Sequence, residues 1–338
     1  MRKLHIEWIR IVAIIMVVLN HSDLFYTFYT NTDNAITFGS SLLISSICKI
    51  NVPLFMMITG ALLIPKAEDW KIILKKRVVR ILIVLFVFSA IIYLLECFLW
   101  NQEVFSVIGF IDLFLKGDIQ ESYWYLYEYI GILLLLPMIG AMARNMDDNT
   151  MKYFVSLAMI LKVGVAVINY FTGYTVQFDS FIVADSVFYV ILGDYLENRI
   201  KKYEDVSNTK LVIAGLCSIL FTILLVIWDR KMSGEWHEYI LSMFTPLLTI
   251  SVYMLLKKQC MKLNENKIAK IIRFLGSCSF GVYLVERIGQ RIFLKIYIWL
   301  CDKTFGVLAC LIYVMSILAL GFIIVGFLRK NKAVRRYI

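Results

Sequence analysis

Residues 80–100 read RILIVLFVFSAIIYLLECFLW, an apolar stretch whose only charged side chains are Arg80 and Glu96. About 20 consecutive apolar residues allow a helix to cross the hydrocarbon core of a bilayer. The same character recurs in nine further segments, at 5–27, 42–64, 123–143, 151–171, 180–197, 210–228, 238–256, 274–299 and 304–328. The sequence therefore predicts an all-α, polytopic membrane protein with about ten transmembrane helices in one bundle.

The composition agrees with this interpretation. Of the 338 residues, 60% are hydrophobic and only 18% are charged, with a mean hydropathy of +0.76. Soluble domains carry about 25% charged residues, so an ordinary soluble protein is excluded, as are a disordered chain and a coiled coil. The seven cysteines are scattered without a C-x-x-C pair, and no metal-ligand spacing occurs among the three histidines. We expect one integral-membrane domain over residues 1–338, without a metal.

The net charge of +10 could indicate nucleic-acid binding, but the positions of the basic residues favour a topological reason. With the N-terminus inside, 25 of the 35 basic residues fall on the inner side, four fall on the outer side and six lie within predicted spans. Such a bias predicts cytoplasmic N- and C-termini in a multi-pass protein of the plasma membrane. Nucleic acid is therefore not an expected partner.

The first predicted helix, HIEWIRIVAIIMVVLNHS at 5–22, carries ionisable residues within an apolar run. At about 100° and 1.5 Å per residue, Arg10 and His21 share one face and lie about 16 Å apart. Glu7 is one turn before Arg10 and can pair with it. A charge in the bilayer costs about 2.5–3.5 kcal/mol, which makes such residues functional candidates. Snorkelling of Arg10 and an interhelical hydrogen bond of His21 are the alternatives.

Further polar residues occur at similar depth in other predicted spans. Lys49 precedes Pro53, which should remove an intrahelical hydrogen bond and kink the helix near there, and Lys49 either reaches toward the interface or binds an anionic group. Trp124 and Tyr125 open the fourth span, where aromatic side chains often serve only as interfacial anchors. Tyr283 and Glu286 share one side of the ninth span. Glu286 is expected either to be buried in its neutral form or to pair with Arg10, Lys49 or Lys162.

A basic, amphipathic stretch, AEDWKIILKKRVVRILIV at 67–84, connects the second and third spans. Its residues Lys75, Arg77 and Arg80 either anchor the topology at the membrane surface or bind a phosphate-rich cytosolic ligand. The sequence alone leaves both interpretations open.

Taken in order, these motifs resemble the integral-membrane acyltransferases called acyltransferase family 3. The marker of that family is an Arg, ten residues and a His in the first helix, matched by Arg10 and His21, with an acidic residue at Glu7. The other matches are Lys49, the V-P-L-F-x-x-x-T-G stretch Val52–Gly60, Lys75, Arg77 and Arg80, Trp124–Tyr127, and the S-F-G-x-Y-L stretch Ser279–Leu284. The family often has His where Tyr123 and Glu286 stand here.

The resemblance implies that an acyl group, first of all acetyl, moves from cytosolic acyl-CoA to a hydroxyl or amine of a cell-envelope glycan or lipid-linked precursor. It implies a catalytic role for His21, with Arg10 and Glu7, either as general base or as a transient acyl carrier. Lys49 or Tyr283 would stabilise the oxyanion. Substrate-binding roles are expected for Lys49, Trp124, Tyr125, Tyr283 and Glu286, and acyl-CoA-binding roles for Arg10, Lys75, Arg77 and Arg80.

Two functions of other classes compete with this interpretation. In a secondary transporter or flippase for an anionic or glycan substrate, Arg10, His21, Lys162 and Glu286 would form a substrate or proton path. In a sensor or scaffold subunit, the polar residues would only hold helices together. The sequence is also compatible with a homo-oligomer and does not define the number of subunits.

Overall fold

The computed structural model describes residues 3–22, 28–31, 34–100, 102–172, 185–200, 206–261 and 267–338, and every regular element in them is a helix. The main helices, numbered in chain order, are α1 (Leu4–Asn20), α2 (Ala35–Cys48), α3 (Asn51–Leu63), α4 (Trp70–Phe98), α5 (Val107–Lys116), α6 (Trp124–Asn145), α7 (Asp148–Thr172), α8 (Asp185–Asp194), α9 (Asn208–Ser233), α10 (Thr245–Met261), α11 (Lys267–Lys303), α12 (Gly306–Leu328) and α13 (Lys332–Tyr337).

Eight helical segments are long and apolar enough to cross a membrane, which confirms the prediction of an all-helical, multi-pass membrane protein. They are Ala35–Lys66, Trp70–Phe98, Glu121–Asn145, Asp148–Thr172, Asn208–Ser233, Glu238–Cys260, Lys267–Lys303 and Gly306–Leu328. The other two predicted spans, 5–27 and 180–197, correspond to the shorter helices α1 and α8. Residues 23–27 and 180–184 of those spans lie outside the described residues, so ten crossings and cytoplasmic termini stay predictions.

The amphipathic helix α5 was not predicted. It follows α4 and packs the ring of Phe110 against Phe86 and Tyr93. Its residues Val107 and Ile108 are exposed. A helix with one packed and one exposed apolar face is typical of a membrane interface, where lipid covers the exposed face.

The chain is interrupted between α2 and α3, as the proline in this region predicts. Helix α2 ends at Cys48 and α3 begins at Asn51. The expected loss of an intrahelical hydrogen bond was wrong, because Pro53 lies in the first turn of α3, where N–H groups have no intrahelical partner. The interruption leaves Lys49 between two helices.

Helix α1 lies at the centre of the bundle and packs against α3, α10 and α11. Ile9, Ala13, Ile14 and Val18 are fully buried, as expected for a helix that is apolar on nearly all sides. Its N-terminal end is held by the buried carboxylate of Glu197, which follows α8. We call this end of the bundle the N-terminal side.

Glu197 accepts hydrogen bonds from residues of two other helical segments. Lys3 Nζ lies 2.7 Å and His5 Nε2 3.1 Å from its carboxylate, and Tyr253 of α10 donates its hydroxyl at 3.1 Å. Lys257 Nζ lies 3.3 Å away. This cluster joins α1, the end of α8 and α10.

Two glycines bring the backbones of α3 and α8 into direct contact. A Cβ atom at Gly60 would overlap the carbonyl oxygen of Val190, and one at Gly193 would overlap the carbonyl oxygen of Met57. Small residues permit such close approach between membrane helices, where dispersion contacts provide much of the association energy. The position of α8 therefore depends on the absence of side chains at these two sites.

Gly193→Ala should lower the stability of the bundle, because the added methyl group has to push two backbones apart. We expect a loss of about 1–3 kcal/mol, seen as a lower melting temperature of the purified protein in detergent. Gly131→Ala in α6 is the matched control, since no atom lies within 4 Å of a Cβ at that position. Equal melting temperatures for the two variants would contradict the close contact.

Candidate active site

A cavity of about 980 Å³ opens at the end of the bundle opposite to the N-terminal side. Helix α1 ends there, α3, α6, α8 and α10 begin there, and α7 and α11 pass the same space, so that residues from seven helices line it. Most of its lining residues are polar or charged, with His21, Lys49 and Asn51 from the first part of the chain and Arg287 and Gln290 from α11.

His21 stands at the C-terminal end of α1, where its side chain reaches the cavity wall. The Ser22 hydroxyl donates to the carbonyl oxygen of Leu19 at 2.7 Å and so satisfies one of the carbonyls that the helix end leaves without an intrahelical partner. The side chain of Gln290 donates to the carbonyl oxygen of His21 at 3.4 Å. The position of the imidazole is thus set from both α1 and α11.

The His21 imidazole is paired with the buried carboxylate of Glu286. Nδ1 of His21 lies 2.6 Å from Oε1 of Glu286, and the Glu286 side chain is fully buried while 17% of the His21 side chain is exposed. Glu286 Oε2 has no hydrogen-bond partner among the described residues. With Nδ1–H donating to Glu286, proton exchange with a substrate would use Nε2, as in other carboxylate-oriented histidines.

The observed partner of Glu286 is His21, so the predicted pairing of Glu286 with a lysine or arginine was wrong. The expected cationic partners were Arg10, Lys49 and Lys162, but each of these meets another carboxylate. His21 and Glu286 are 265 residues apart in the sequence, and helical periodicity carries no information on which helices become neighbours.

Two tyrosines connect α11 to the start of α6 behind the cavity. Tyr123 donates its hydroxyl to the carbonyl oxygen of Leu284 at 2.7 Å, and Tyr283 donates to the carbonyl oxygen of Ser122. Both tyrosines are buried, and the Tyr283 ring lies 6.3 Å from that of His21. These hydrogen bonds fix the helix that carries Glu286.

The predicted substrate-binding aromatic residues occupy two different positions. Trp124 lines the cavity and is 47% exposed. Tyr125 is in a second layer, with its ring 6.1 Å from Tyr283 and 6.2 Å from Phe55. Trp124 is thus available to a ligand in the cavity, whereas Tyr125 packs behind it.

The charged residues of the cavity wall are largely paired. Lys49 Nζ lies 2.6 Å from Oε1 of Glu238, and Lys162 donates to Asp185. Across the same cavity, Ser186 donates its hydroxyl to Glu128. These contacts join the α2–α3 interruption to the segment before α10, and α7 to the start of α8.

Arg10 and Glu7 lie away from this cavity, so the structure separates them from His21. Arg10 Nη1 donates to Glu7 Oε1 at 2.8 Å, which confirms the predicted i,i+3 pair. Eleven residues of helix place Arg10 about 16 Å from His21 toward the N-terminal side. Arg10 and Glu7 are therefore suited to a different part of a substrate than the one that meets His21.

The predicted acyl-CoA-binding residues at the start of α4 differ in their contacts. Arg77 donates two hydrogen bonds of 2.6 Å to Glu68 and thereby holds the pKa of that carboxyl below its ordinary value. Arg80 donates to the carbonyl oxygen of Tyr337 at 2.8 and 3.1 Å. Lys75 is exposed. Arg77 and Arg80 thus have structural partners, while Lys75 reaches solvent.

Sequence reasoning missed Arg287, Gln290 and Glu96 as residues of the site. Glu96 accepts hydrogen bonds from Arg287 and Arg291, and Arg287 and Gln290 line the cavity. The available signal was the isolated acidic residue in the apolar stretch 80–100, because a buried charge requires a partner on another helix. In the described part of the chain, no group of three or more His, Cys, Asp or Glu side chains is arranged to hold a metal ion.

Comparisons with known proteins give the family of the chain. The family model of acyltransferase family 3, described as an acyltransferase domain, matches residues 4–328, and so includes α1, the cavity and α11. No curated protein and no solved structure matched the chain. Since the family model covers essentially the whole chain, the protein is a membrane acyltransferase that belongs to acyltransferase family 3.

Proposed function

We propose that the protein transfers an acyl group, first of all acetyl, from cytosolic acyl-CoA to a hydroxyl of a cell-envelope glycan or a lipid-linked precursor. The observation that carries this proposal is the 2.6 Å contact between His21 and Glu286 on the wall of the cavity. A histidine oriented by a buried carboxylate is a suitable general base for a hydroxyl group.

In the proposed step, His21 Nε2 takes the proton of the acceptor hydroxyl as its oxygen attacks the thioester carbonyl carbon. The bond from that carbon to sulfur then breaks, and the departing thiolate receives the proton from His21. Glu286 acts as a positioning residue, because it holds Nδ1 and stabilises the imidazolium that forms between the two proton transfers.

The donor would approach from the N-terminal side, which we assign to the cytoplasm of a plasma-membrane protein because most basic residues mark that side. Arg10 and Lys75 offer positive charge there, with Arg77 and Arg80 as further candidates for the phosphates of acyl-CoA. A donor bound there has to extend its acyl arm about 16 Å along α1 to bring the thioester to His21.

The acceptor would occupy the cavity. Trp124 offers an exposed ring, and the side chains of Asn51, Gln120 and Ser122 offer hydrogen bonds to hydroxyl groups. An apolar ring face combined with several polar groups suits a sugar residue, whose C–H face is apolar and whose edge carries hydroxyl groups. Lys49 and its partner Glu238 lie on the same wall and would contact the acceptor.

His21→Ala should strongly impair acyl transfer, because the variant lacks the proposed general base. We expect a loss of about 10²–10⁴-fold in rate, measured as transfer of label from acetyl-CoA to acceptor in membrane vesicles. His237→Ala is the matched control: His237 Nδ1 lies 2.7 Å from Asp229, a pair of the same kind that does not line the cavity. That variant should retain most of the activity.

Normal acylation by a well-expressed His21→Ala variant would overturn the proposed mechanism. Substrate flux across vesicles without consumption of acetyl-CoA would instead favour the transporter interpretation. Mass spectrometry of the labelled product identifies the acceptor and the length of the acyl group in the same experiment.

Glu286→Gln should lower kcat by about 10²–10⁴-fold with little change in KM, because the amide preserves the shape of the side chain but cannot stabilise the imidazolium. The melting temperature should change little, because the substitution is isosteric. A variant with wild-type kcat, or one whose only change is a higher KM, would exclude the positioning role.

A further inference from the structure

Arg287 belongs to the same turn of α11 as Glu286, the partner of His21. It follows Glu286 in α11 and lines the cavity. Gln290, about one helical turn further along α11, donates to the carbonyl oxygen of His21. Arg287 therefore lines the same cavity as His21 and lies, along the sequence of α11, between the two residues that contact His21.

The Arg287 guanidinium is anchored at one end by Glu96. Its Nε donates to Glu96 Oε1 at 3.1 Å. Among the described residues, its two terminal amino groups have no hydrogen-bond partner. A guanidinium held through Nε keeps two further donor groups in one plane, which suits the binding of a negatively charged oxygen.

Glu96 is shared by two arginines, which leaves a positive charge that the pair does not neutralise. Arg291 also binds Glu96, with Nη2 at 2.7 Å from Oε2, and its guanidinium stacks on the ring of Trp100. Arg291 is not among the described residues that line the cavity. Two cations and one carboxylate have a formal charge of +1, and Arg287 presents this charge to the cavity.

The groups expected to stabilise the oxyanion have other partners. Lys49 is neutralised by Glu238, and the Tyr283 hydroxyl proton is donated to Ser122. Lys162 is likewise paired with Asp185. Arg287 is thus the cation of the cavity wall whose carboxylate partner is shared with a second cation.

We propose that Arg287 is a further catalytic residue, which stabilises the oxyanion of the tetrahedral adduct formed beside His21. This inference rests on the proposed acyl transfer. When the acceptor oxygen bonds to the thioester carbon and its proton passes to His21, the carbonyl electron pair moves onto oxygen. The terminal amino groups of Arg287 donate to that oxygen until the carbonyl re-forms and the thiolate leaves.

The surroundings favour this transient charge over a permanent anion on the acceptor. Glu121, Glu128, Asp185 and Glu238 also line the cavity. Since Lys49 and Lys162 neutralise two of these four acidic side chains, a carboxylate or phosphate of an acceptor would meet the negative charge of the other two, which disfavours its binding. An oxyanion that exists only during the reaction and forms next to His21 meets Arg287 instead.

The test compares Arg287→Gln with Arg291→Gln, because both variants remove an arginine from Glu96 but only Arg287 lines the cavity. For Arg287→Gln we expect a fall of about 10²–10³-fold in kcat with KM for acceptor and donor nearly unchanged. For Arg291→Gln we expect kcat to stay within a few-fold of wild type. Melting temperatures of both variants report the shared loss of the ion pair.

Equal effects of the two variants on kcat would overturn the inference and leave Arg287 a structural residue. A rise in KM for anionic acceptors alone would assign Arg287 to acceptor binding and would overturn it as well. If Arg287→Gln does not fold, Arg287→Lys and Arg291→Lys replace the pair, with at least a tenfold loss of kcat expected only at position 287. Wild-type activity in His21→Ala would overturn the proposed role of His21, whatever the result for Arg287.

Discussion

A carboxylate buried among apolar helices needs a cationic or hydrogen-donating partner, and this constraint determines how the helices of the bundle meet. The buried carboxylates of Glu7, Glu96, Asp194, Asp229 and Glu286 all have an Arg or His nitrogen within 3.5 Å. Two of these contacts join different helices near the cavity, α1 with α11 and α4 with α11. Removing one partner would leave an uncompensated charge, so each of these two contacts favours one arrangement of the two helices that it joins.

Much of the fold could be predicted from the sequence, because length and hydropathy are local properties. Eight of the ten apolar segments coincide with helices able to span a membrane, and Pro53 marked the interruption between α2 and α3. Helix α5 was not predicted, because it has only ten residues and its apolar side chains do not form a continuous run. The close contact of α3 with α8 could not be predicted either, because the sequence does not show which residue a glycine contacts in the fold.

In the site, too, contacts within one helix could be predicted from the sequence, whereas contacts between helices could not. The Glu7–Arg10 pair could be predicted because both residues lie on one helix, three positions apart. His21 was identified as a polar residue in an apolar run, but its partner Glu286 lies on another helix, and helical periodicity cannot choose among several partners. The role of Arg287 depends on the same distant information, since it follows from Glu96 being shared with a second arginine.

Gly60 lies close to the backbone of Val190, and Gly193 lies close to the backbone of Met57. These contacts are toward the C-terminal end of α8, but they also affect the cavity at its N-terminal end. Asp185 and Ser186 open this ten-residue helix at the cavity wall, about 12 Å from Gly193 at 1.5 Å per residue. Because α8 is short and helical, a displacement at one of its ends is transmitted to the other. A small displacement at the glycines would shift Asp185 and Ser186 and with them part of the cavity wall. The shape of the binding space is therefore controlled partly by two residues that carry no side chain and touch no substrate.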